Sequence, residues 1–374
     1  MESHRARNPT APMVGSGCNT LIGVNELVQT LPVSWYNDPA VYQRERQEIF
    51  GKEWQCVGFD YQIERPGDYL TEVVANWPIF VRRGSDGEVR AFHNMCPHRA
   101  GVIVPDGQGC QGNLVCRYHG WAFRETGELR SARDFGAEVP DGIGLAEVRV
   151  EMWRGIVFVN LDANARPLIE WLAGWTDRMS EWTLEGALFH SRSVRRMDCN
   201  WKTYGDNFLE GYHVPMVHPG LARQTDALNY RVRTYGDRRW NIHLTPHPDG
   251  SLQPGTFMCF WPNFSMDIFP GGWCTERWLP RGRHQTDLVF DYFFTDGYPD
   301  ADEIVKQSEE VAEEDVLFCN LVQRNLDAGV YERGLLSPRH ENGLADWHEM
   351  YLEVMEHGGP AQPVGAHGAR NPTS

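Results

Sequence analysis

Two pairs of cysteine and histidine residues constrain this chain more than any other feature of its sequence. Cys96 and His98 are separated by one residue, and Cys116 and His119 by two. Both pairs lie in segments rich in glycine and proline, between runs with the pattern of short strands, so each pair is expected on a loop. Thiolates and imidazoles grouped in this way are typical metal ligands. We therefore expect two loops that converge on one metal centre.

The spacing of these pairs distinguishes two kinds of centre. Two cysteines and two histidines are a common zinc set, but a zinc finger would have a helix after the second pair, and no helical pattern follows here. In a Rieske [2Fe–2S] centre two cysteines bind one iron and two histidines bind the other. Each loop then supplies one residue of each type, as it does here. We favour the Rieske centre over a zinc site, and we expect Cys110, which lies between the pairs, to take no part.

A second candidate metal site is centred on His213 and His218. A non-haem Fe(II) site uses two histidines and one carboxylate on one face of the metal. The preceding segment, Trp201 to Tyr212, is predicted to be helical. A step of five residues on a regular helix would turn the two imidazoles about 140° apart. Pro215 and Pro219 are expected to distort or end the helix, which would let both rings reach one metal ion.

Periodicity indicates the carboxylate for this site, in the helical segment from Asp302 to Leu326. One stripe of that helix is formed by Ile304, Ser308, Val311, Asp315, Cys319, Val322 and Leu326. Asp315 lies in the middle of this largely apolar face, where a lone carboxylate is costly, so we predict that it binds the metal. The alternative is a bond to an inward arginine or to backbone amides. Four nearby glutamates fall off the stripe and are predicted to be solvated: Glu309, Glu310, Glu313 and Glu314.

The patterns along the chain predict two domains. From about Trp54 to Leu161, short strands alternate with turns, including a hairpin with its turn at residues 85–87. After residue 163, helical patterns at residues 168–179, 201–212 and 302–326 are mixed with strand-like runs. We predict an N-terminal segment at 1–45 that packs on the catalytic domain, an all-β domain at 46–162, an α+β catalytic domain at 163–358 and a disordered tail at 359–374.

Composition and charge exclude several classes of partner. The net charge of -16 leaves no basic excess for a nucleic-acid partner. The N-terminal residues lack the apolar core of a secretory signal, and the segment "LIGVNELVQTL" is too short and too polar to span a bilayer. Nine scattered cysteines fit a reducing compartment better than a disulfide framework. We expect a cytoplasmic protein with no membrane partner.

Taken in chain order, the motifs resemble those of the Rieske non-haem iron oxygenase large (alpha) subunits, the ring-hydroxylating oxygenase family. The matching residues are the two Cys/His pairs, then Asn207, Glu210, Tyr212 and His213 followed by "VPMVHP", and then "EEDVLFCNLVQ" around Asp315. The resemblance implies a helix-grip catalytic domain, in which an antiparallel sheet curves around a long helix. It also implies a [2Fe–2S] cluster on Cys96, His98, Cys116 and His119, and a mononuclear Fe(II) on His213, His218 and Asp315.

The resemblance further implies an assembly. In this family the Rieske domain of one subunit lies against the mononuclear iron of its neighbour, and a carboxylate bridges their histidine ligands. Glu210 occupies the matching position, and Asn207 is a further catalytic candidate. We therefore expect a homotrimer that receives electrons from a separate NAD(P)H-dependent reductase, directly or through a ferredoxin. An electron-transfer protein without oxygenase activity is the alternative from another class.

The expected substrate is a quaternary ammonium compound, oxidised with O2. Glu210 and the pattern "NLDAGVYERGLLSPRHENGLADWHE" are most similar to the carnitine, choline and glycine-betaine monooxygenase group. That group hydroxylates or cleaves beside a trimethylammonium nitrogen, and such a cation favours aromatic faces. The candidate pocket residues are Phe257, Phe260, Trp261, Phe264 and Trp273. Hydroxylation, dihydroxylation or demethylation of an aromatic or heteroaromatic compound is the alternative.

Overall fold

The computed structural model describes residues 27–179, 184–250 and 256–357. The tail predicted at 359–374 and the first part of the segment predicted at 1–45 lie outside these ranges. Within them, Tyr36 donates a hydrogen bond to Asp206 at 2.5 Å, and Glu45 forms a fully buried ion pair with Lys202. The N-terminal segment from residue 27 to Glu45 is thus in contact with the helix that begins the candidate iron site.

Ten strands form the first domain. They are β1 (Gln55–Phe59), β2 (Asp68–Val74), β3 (Trp77–Arg83), β4 (Val89–His93), β5 (Gln108–Cys110), β6 (Leu114–Val115), β7 (Ala122–Phe123), β8 (Leu129–Ser131), β9 (Glu147–Trp153) and β10 (Ile156–Asn160). Within the described ranges, seven strands form a sheet in the order β1-β10-β9-β4-β3-β2-β5, and β6, β7 and β8 form a second, small sheet. The predicted hairpin is β3 and β4, and Gly87 at its turn has a φ of 85°, which glycine adopts without strain.

A single antiparallel sheet dominates the second domain. Its strands are β11 (Ala187–Met197), β12 (Arg231–Tyr235), β13 (Trp240–Leu244), β14 (Thr256–Phe260), β15 (Phe264–Phe269), β16 (Gly272–Gly282) and β17 (Gln285–Thr295). Their order is β11-β17-β16-β15-β14-β13-β12. The helices of the described ranges are α1 (Ser34–Asn37), α2 (Pro39–Glu45), α3 (Leu168–Trp171), α4 (Trp175–Met179), α5 (Trp201–Phe208), α6 (Val214–Val217), α7 (Pro219–Ala222), α8 (Ala301–Asp327) and α9 (Asn342–His357).

The two faces of this sheet are both buried, against different partners. Successive side chains on a strand point to opposite faces. Met258 and Phe260 pack on one face with Phe158 of the first domain, and we call this the outer face. Cys259, between them in the sequence, lies on the inner face, in the core that includes Cys319 of α8. The sheet is thus held between the first domain and the long helix, as in the predicted helix-grip arrangement.

Helix α8 follows the predicted periodicity closely and extends one residue further at each end. Acidic residues occupy its first turn and Arg324 its last, which suits the helix dipole. Its buried face carries Asp315 and Cys319 as predicted, but Val322 is 46% exposed and Gln323 is buried in its place. Gln323 accepts a hydrogen bond from the backbone N–H of Asn200 at 2.9 Å, and this polar contact outweighs the apolar preference of valine for the core.

Two predicted helices are shorter in the structure. The segment predicted as one helix at 168–179 forms α3 and α4, separated by Gly174 with a φ of 81°. Helix α5 ends at Phe208, four residues before the predicted end. The chain turns there because the Glu210 carboxylate accepts hydrogen bonds from the backbone N–H groups of Tyr212 and His213.

Within the described ranges, none of the helices is long and apolar enough to cross a bilayer.

Candidate active site

Three predicted metal ligands come together where α5, α6 and α8 meet. His213 precedes α6, and His218 breaks the chain between α6 and α7 with a φ of -117° and a ψ of 75°. This break turns both imidazoles to one point, as the two prolines predicted. The Nε2 atoms lie 3.2 Å apart, and Asp315 Oδ1 lies 2.9 Å from His218 Nε2 and 3.8 Å from His213 Nε2. Within the described ranges this trio is the one group of histidine, cysteine and acidic residues close enough to hold a metal ion.

Each member of the trio is oriented by a second polar side chain. The Glu210 carboxylate lies 2.5 Å from His213 Nδ1, and Asn207 donates to Asp315 Oδ1 at 2.7 Å. Glu314 Oε2 lies 2.7 Å from His218 Nδ1, so the prediction that Glu314 is only solvated is wrong. Periodicity missed it because a side chain at the edge of the buried face can still reach inward, and it is 38% exposed.

The donor set fits a divalent metal ion. Carboxylates at both Nδ1 atoms favour the tautomer with its proton there, which leaves the Nε2 lone pairs free. Ligand bonds of about 2.0 to 2.2 Å place donor atoms roughly 3 Å apart when the bonds meet near right angles. Two of the observed separations, 2.9 and 3.2 Å, are close to this, and the third, between Asp315 Oδ1 and His213 Nε2, is longer at 3.8 Å. Burial lowers the pKa of His218, but the charges and hydrogen bonds of Asp315 and Glu314 outweigh it and raise that pKa above its usual value.

The two Cys/His loops also converge, and they bring the two cysteines together and the two histidines together. The thiols of Cys96 and Cys116 are buried and in hydrogen-bond contact, and burial raises the pKa of Cys96. The rings of His98 and His119 are half-buried, with centroids 4.6 Å apart. A cluster of two irons, one with thiolate and one with imidazole ligands, requires this division.

Backbone hydrogen bonds give the two loops matching turns. Ala100 N–H donates to the Cys96 carbonyl, and Gly120 N–H donates to the Cys116 carbonyl, each at 2.9 Å. Gly101 allows the loops to approach closely, since a Cβ atom there would lie 2.6 Å from Cys116 Sγ. Cys110 lies on β5 and is exposed.

The five aromatic residues predicted for the substrate pocket are divided between the two faces of the catalytic sheet. Phe260, Phe264 and Trp273 lie on the outer face, in the core shared with the first domain. Because they pack on the outer face, these three residues cannot line a pocket next to the iron site. Successive residues of a strand point to opposite faces, so residues that are close in the sequence need not share a pocket. Phe257, half-buried, and Trp261 lie on the inner face, and Trp261 packs on Trp347 with centroids 5.2 Å apart.

Other inner-face residues lie next to the trio and were not predicted. The ring of Phe208 packs against those of His243 and Trp278, with centroids 5.1 and 5.3 Å away. Tyr204 donates a hydrogen bond to the buried Glu276 carboxyl. Tyr204 lies one helical turn before Asn207, so both side chains are on the same side of α5.

Two clefts reach the trio from the surface. The larger, of about 1010 Å³, is lined by Glu210, Tyr212, His213, Pro215, Met216, Thr225, Asp226, Ala227, Leu228, Pro248, His340 and Glu341. The second, of about 490 Å³, reaches Asn207 and His213 from the side of α8. Both clefts are lined by His213, so this candidate ligand can be reached from two sides of the protein.

Comparison with known proteins gives consistent matches for both domains. Residues 174–357 match the family model of the ring hydroxylating alpha subunit (catalytic domain), and residues 53–144 match that of the Rieske [2Fe-2S] domain. The chain is 32% identical to the chloroplastic choline monooxygenase of Spinacia oleracea, over 86% of this chain and 77% of that protein. It is 28% identical to the carnitine monooxygenase oxygenase subunit of Escherichia coli, over 87% of this chain and 94% of that protein.

Solved structures agree with these matches. The quaternary ammonium Rieske monooxygenase CntA, in complex with L-carnitine, aligns with a TM-score of 0.78 at 26% identity, over 88% of this chain and 96% of that one. Naphthalene 1,2-dioxygenase with indole bound shares the fold, with a TM-score of 0.70 at 20% identity over 88% and 92%. The chain therefore belongs to the family of Rieske-type ring-hydroxylating oxygenase α subunits, oxidoreductases whose Rieske domain binds a [2Fe–2S] cluster and whose catalytic domain binds a mononuclear iron.

Proposed function

We propose that this chain is the terminal oxygenase of a multicomponent system that hydroxylates a small quaternary ammonium compound. The observation that carries the proposal is the convergence of two Nε2 atoms and one carboxylate oxygen from His213, His218 and Asp315. Such a trio leaves metal positions open for O2. The substrate class is supported by the choline and carnitine monooxygenases among the relatives, and by CntA structures with L-carnitine and γ-butyrobetaine.

Electrons come from a separate reductase partner, which uses NAD(P)H and acts directly or through a ferredoxin. In this proposal the cluster is held by Cys96, His98, Cys116 and His119. Its iron-bound imidazoles raise the reduction potential, so that the cluster can accept electrons from a reductase. We propose that the protein works in the cytoplasm, because its nine scattered cysteines fit a reducing compartment better than a disulfide framework.

We further propose a homotrimer in which the Rieske domain of one subunit covers the larger cleft of the next. Apolar side chains on the rim of that cleft are exposed: Tyr212 by 57%, Leu228 by 66% and Met216 by 84%. Exposed apolar groups around a cleft are typical of a protein interface. Glu210, at the base of this cleft, would then join His213 to a cluster histidine of the neighbour.

The proposed reaction consumes one O2, two electrons and two protons. One oxygen atom replaces a hydrogen on a carbon of the substrate as a hydroxyl group, and the other leaves as water. The protein contributes by orienting the ligands through Glu210, Glu314 and Asn207. It also contributes a buried sheet face on which the substrate can be held away from water.

Cluster oxidation in a substrate panel tests this function. The protein, loaded with both metals, is reduced without oxygen and mixed with choline, L-carnitine, γ-butyrobetaine or simple aromatic acids before oxygen is admitted. We expect an ammonium compound to accelerate oxidation of the cluster, read from its visible absorbance, and the aromatic acids to leave it slow. Acceleration by the aromatic acids alone would overturn the proposed substrate class.

Metal analysis tests the two alternatives from other classes. We expect two cluster irons and one further iron per chain, with the visible absorbance of a Rieske centre. A colourless protein with zinc at the Cys/His loops would contradict the cluster, and a cluster without the further iron after iron loading would favour a simple electron carrier.

A further inference from the structure

Two buried carboxyl groups on the inner face of the catalytic sheet are not used by the metal site. Asp267 is 8% exposed and Glu276 is 4% exposed. Within the described ranges, neither forms an ion pair with a lysine, arginine or histidine side chain. A buried acid without a positive partner is costly, so these two positions call for a functional explanation.

Strand register places both carboxyl groups in one polar patch. One row across β13, β14, β15 and β16 is His243, Phe257, Asp267 and Cys274, and the adjacent row is Asn241, Cys259, Ser265 and Glu276. Residues paired across neighbouring strands share a face. Since Tyr204 of α5 donates to Glu276, this face is the one turned toward the candidate iron site.

The patch lies close to the proposed iron ligands. Tyr204 contacts Glu276, and one turn further along α5 Asn207 donates to Asp315 at 2.7 Å. The charge of Asp315 contributes to a raised pKa of Glu276, and that of His213 contributes to a lowered pKa of His243, both after the larger effect of burial. A molecule held on this patch would therefore lie next to the trio.

Several polar atoms of the patch have no hydrogen-bond partner among the residues that the structure describes. They are Asn241 Oδ1, His243 Nε2, Ser265 Oγ and Asp267 Oδ1, on side chains that are all more than nine-tenths buried. Buried polar atoms are normally satisfied, so their presence in one patch indicates a ligand that supplies the missing contacts. Burial lowers the pKa of His243 to about 3, so this imidazole is neutral and adds no positive charge.

Two buried cations of the described catalytic domain are directed away from the patch. Arg277 lies on the outer face, where it pairs with Asp291 at 2.7 Å, and Lys202 is paired with Glu45. Among the described residues, the patch thus offers two acids and the aromatic rings of Phe257, Phe208 and Trp278, and its two rows carry no lysine or arginine to pair with an anion.

We propose that Asp267 and Glu276 form a cation-binding patch beside the candidate iron site and select a substrate that is positively charged and carries no carboxylate, as in choline, over zwitterions such as carnitine. This proposal rests on the proposed function and narrows it. The ammonium group lies against the two acids and the aromatic rings, and a hydroxyl group of the substrate can pair with His243 Nε2 or Ser265 Oγ.

Equilibrium binding to the metal-loaded protein, without oxygen, tests the proposal. The probes are choline, its neutral carbon isostere 3,3-dimethylbutan-1-ol, and γ-butyrobetaine. We expect choline to bind at least about tenfold more tightly than either of the other probes. The attraction between two opposite charges a few ångströms apart is larger than a tenfold change in affinity requires, even at an effective dielectric constant of about 20. Comparable affinity for all three would overturn the proposal, and this arm needs no variant.

Isosteric variants then assign the residues. Asp267→Asn and Glu276→Gln should each weaken choline binding at least about tenfold and leave the isostere within about twofold. The control is Glu310→Gln, whose side chain is 65% exposed on α8 and should change neither value. Retention of the choline preference in both folded variants would overturn the assignment. Turnover of the ammonium compounds, measured on the same samples, separates the proposed function from the role of the two acids. If the unsubstituted protein does not turn over any ammonium compound, the proposed function fails, whatever the binding data show.

Discussion

Glu314 Oε2 lies 2.7 Å from Nδ1 of His218, as Glu210 Oε1 lies 2.5 Å from Nδ1 of His213. The two proposed iron-binding histidines thus each have their own carboxylate. One carboxylate follows α5 and the other is on α8 next to Asp315. Their positions differ in one respect, because Glu210 is 7% exposed and lies at the base of the larger cleft, whereas Glu314 lies at the side of the helix.

Glu314→Gln should weaken the mononuclear iron site without affecting the cluster. An amide in place of the carboxylate removes a charge-assisted hydrogen bond that orients His218, and losses of this kind lower metal affinity by about 10-fold or more. Iron content after dialysis against a chelator measures the effect. The control is Glu313→Gln, at a neighbouring position with a side chain that is 74% exposed. Equal iron retention in the two variants would contradict the role given to Glu314.

Glu210→Gln should leave both metal sites filled and still stop coupled turnover. The amide can keep a hydrogen bond in the cleft but cannot carry the negative charge that we propose joins His213 to the neighbouring subunit. Because this substitution removes the carboxylate on His213 as Glu314→Gln does on His218, iron is supplied at saturation. At equal iron content and cluster absorbance, we expect product formation to fall by about 10-fold or more. Product formed per electron supplied is the measurement, and an unchanged yield would remove the bridging role.

Gly101→Ala should impair assembly of the cluster. The added methyl group would lie 2.6 Å from Cys116 Sγ, inside the space needed for the two loops to approach. We expect lower cluster content, with a far-ultraviolet circular dichroism spectrum close to that of the unsubstituted protein. Gly112→Ala is the matched control, since a Cβ atom there meets nothing within 4 Å. Full cluster content in both variants would show that the close approach is not required.

Choline affinity should rise with pH through neutrality. Burial raises the pKa of Asp267 to about 7, so this acid is protonated below that pH and has no charge to offer a cation. Burial also raises the pKa of the neighbouring Glu276 well above its usual value, so this second acid gains its charge in the same direction as the pH rises. Burial raises the pKa values of the Cys274 and Cys259 thiols well above their usual values and lowers that of His243 to about 3, so these three groups do not change charge near neutrality.

Because choline would favour the ionised form of Asp267, its Kd should fall by up to about tenfold per pH unit below pH 7 and level off above it. Calorimetric titrations from pH 5.5 to 8.5, a range centred on that pKa, give the slope of the logarithm of this Kd against pH. Affinity rises with pH, and does not fall, because a bound cation favours the ionised carboxylate. Binding therefore releases a proton, and it becomes stronger as the proton concentration falls. In Asp267→Asn the slope should become smaller, and an unchanged slope in that variant would assign the pH dependence to another group.

The ligand sets could be predicted from sequence because they depend on short-range spacing. One residue between Cys96 and His98, two between Cys116 and His119, and a proline on each side of the break at His218 are local features. Helix α8 was predicted to within one residue at each end because its 3.6-residue period extends over many turns. The ligand roles themselves stay predictions, although the structure brings the residues together.

The substrate-facing residues could not be predicted, since they depend on which face of a sheet meets which partner. Phe260 and Phe257 are close in the sequence and lie on opposite faces of β14, and both faces are buried. Along β14 both faces carry apolar residues, so hydropathy does not separate Phe257 from Phe260. In β13 and β15 polar residues do alternate with apolar ones, but the sequence does not show which partner each face meets. Asp267 and Glu276 could be recognised as neighbours only from the register of β15 and β16.

The most direct test of the central claim is the mass of the product from a single turnover under ¹⁸O₂. The protein, loaded with both metals and reduced without oxygen, is mixed with choline and then exposed to the labelled gas. We predict a product of choline that carries one ¹⁸O atom, with the second atom recovered in water. Unlabelled choline recovered intact beside an oxidised cluster, with an aromatic acid oxygenated in the parallel sample, would contradict the account.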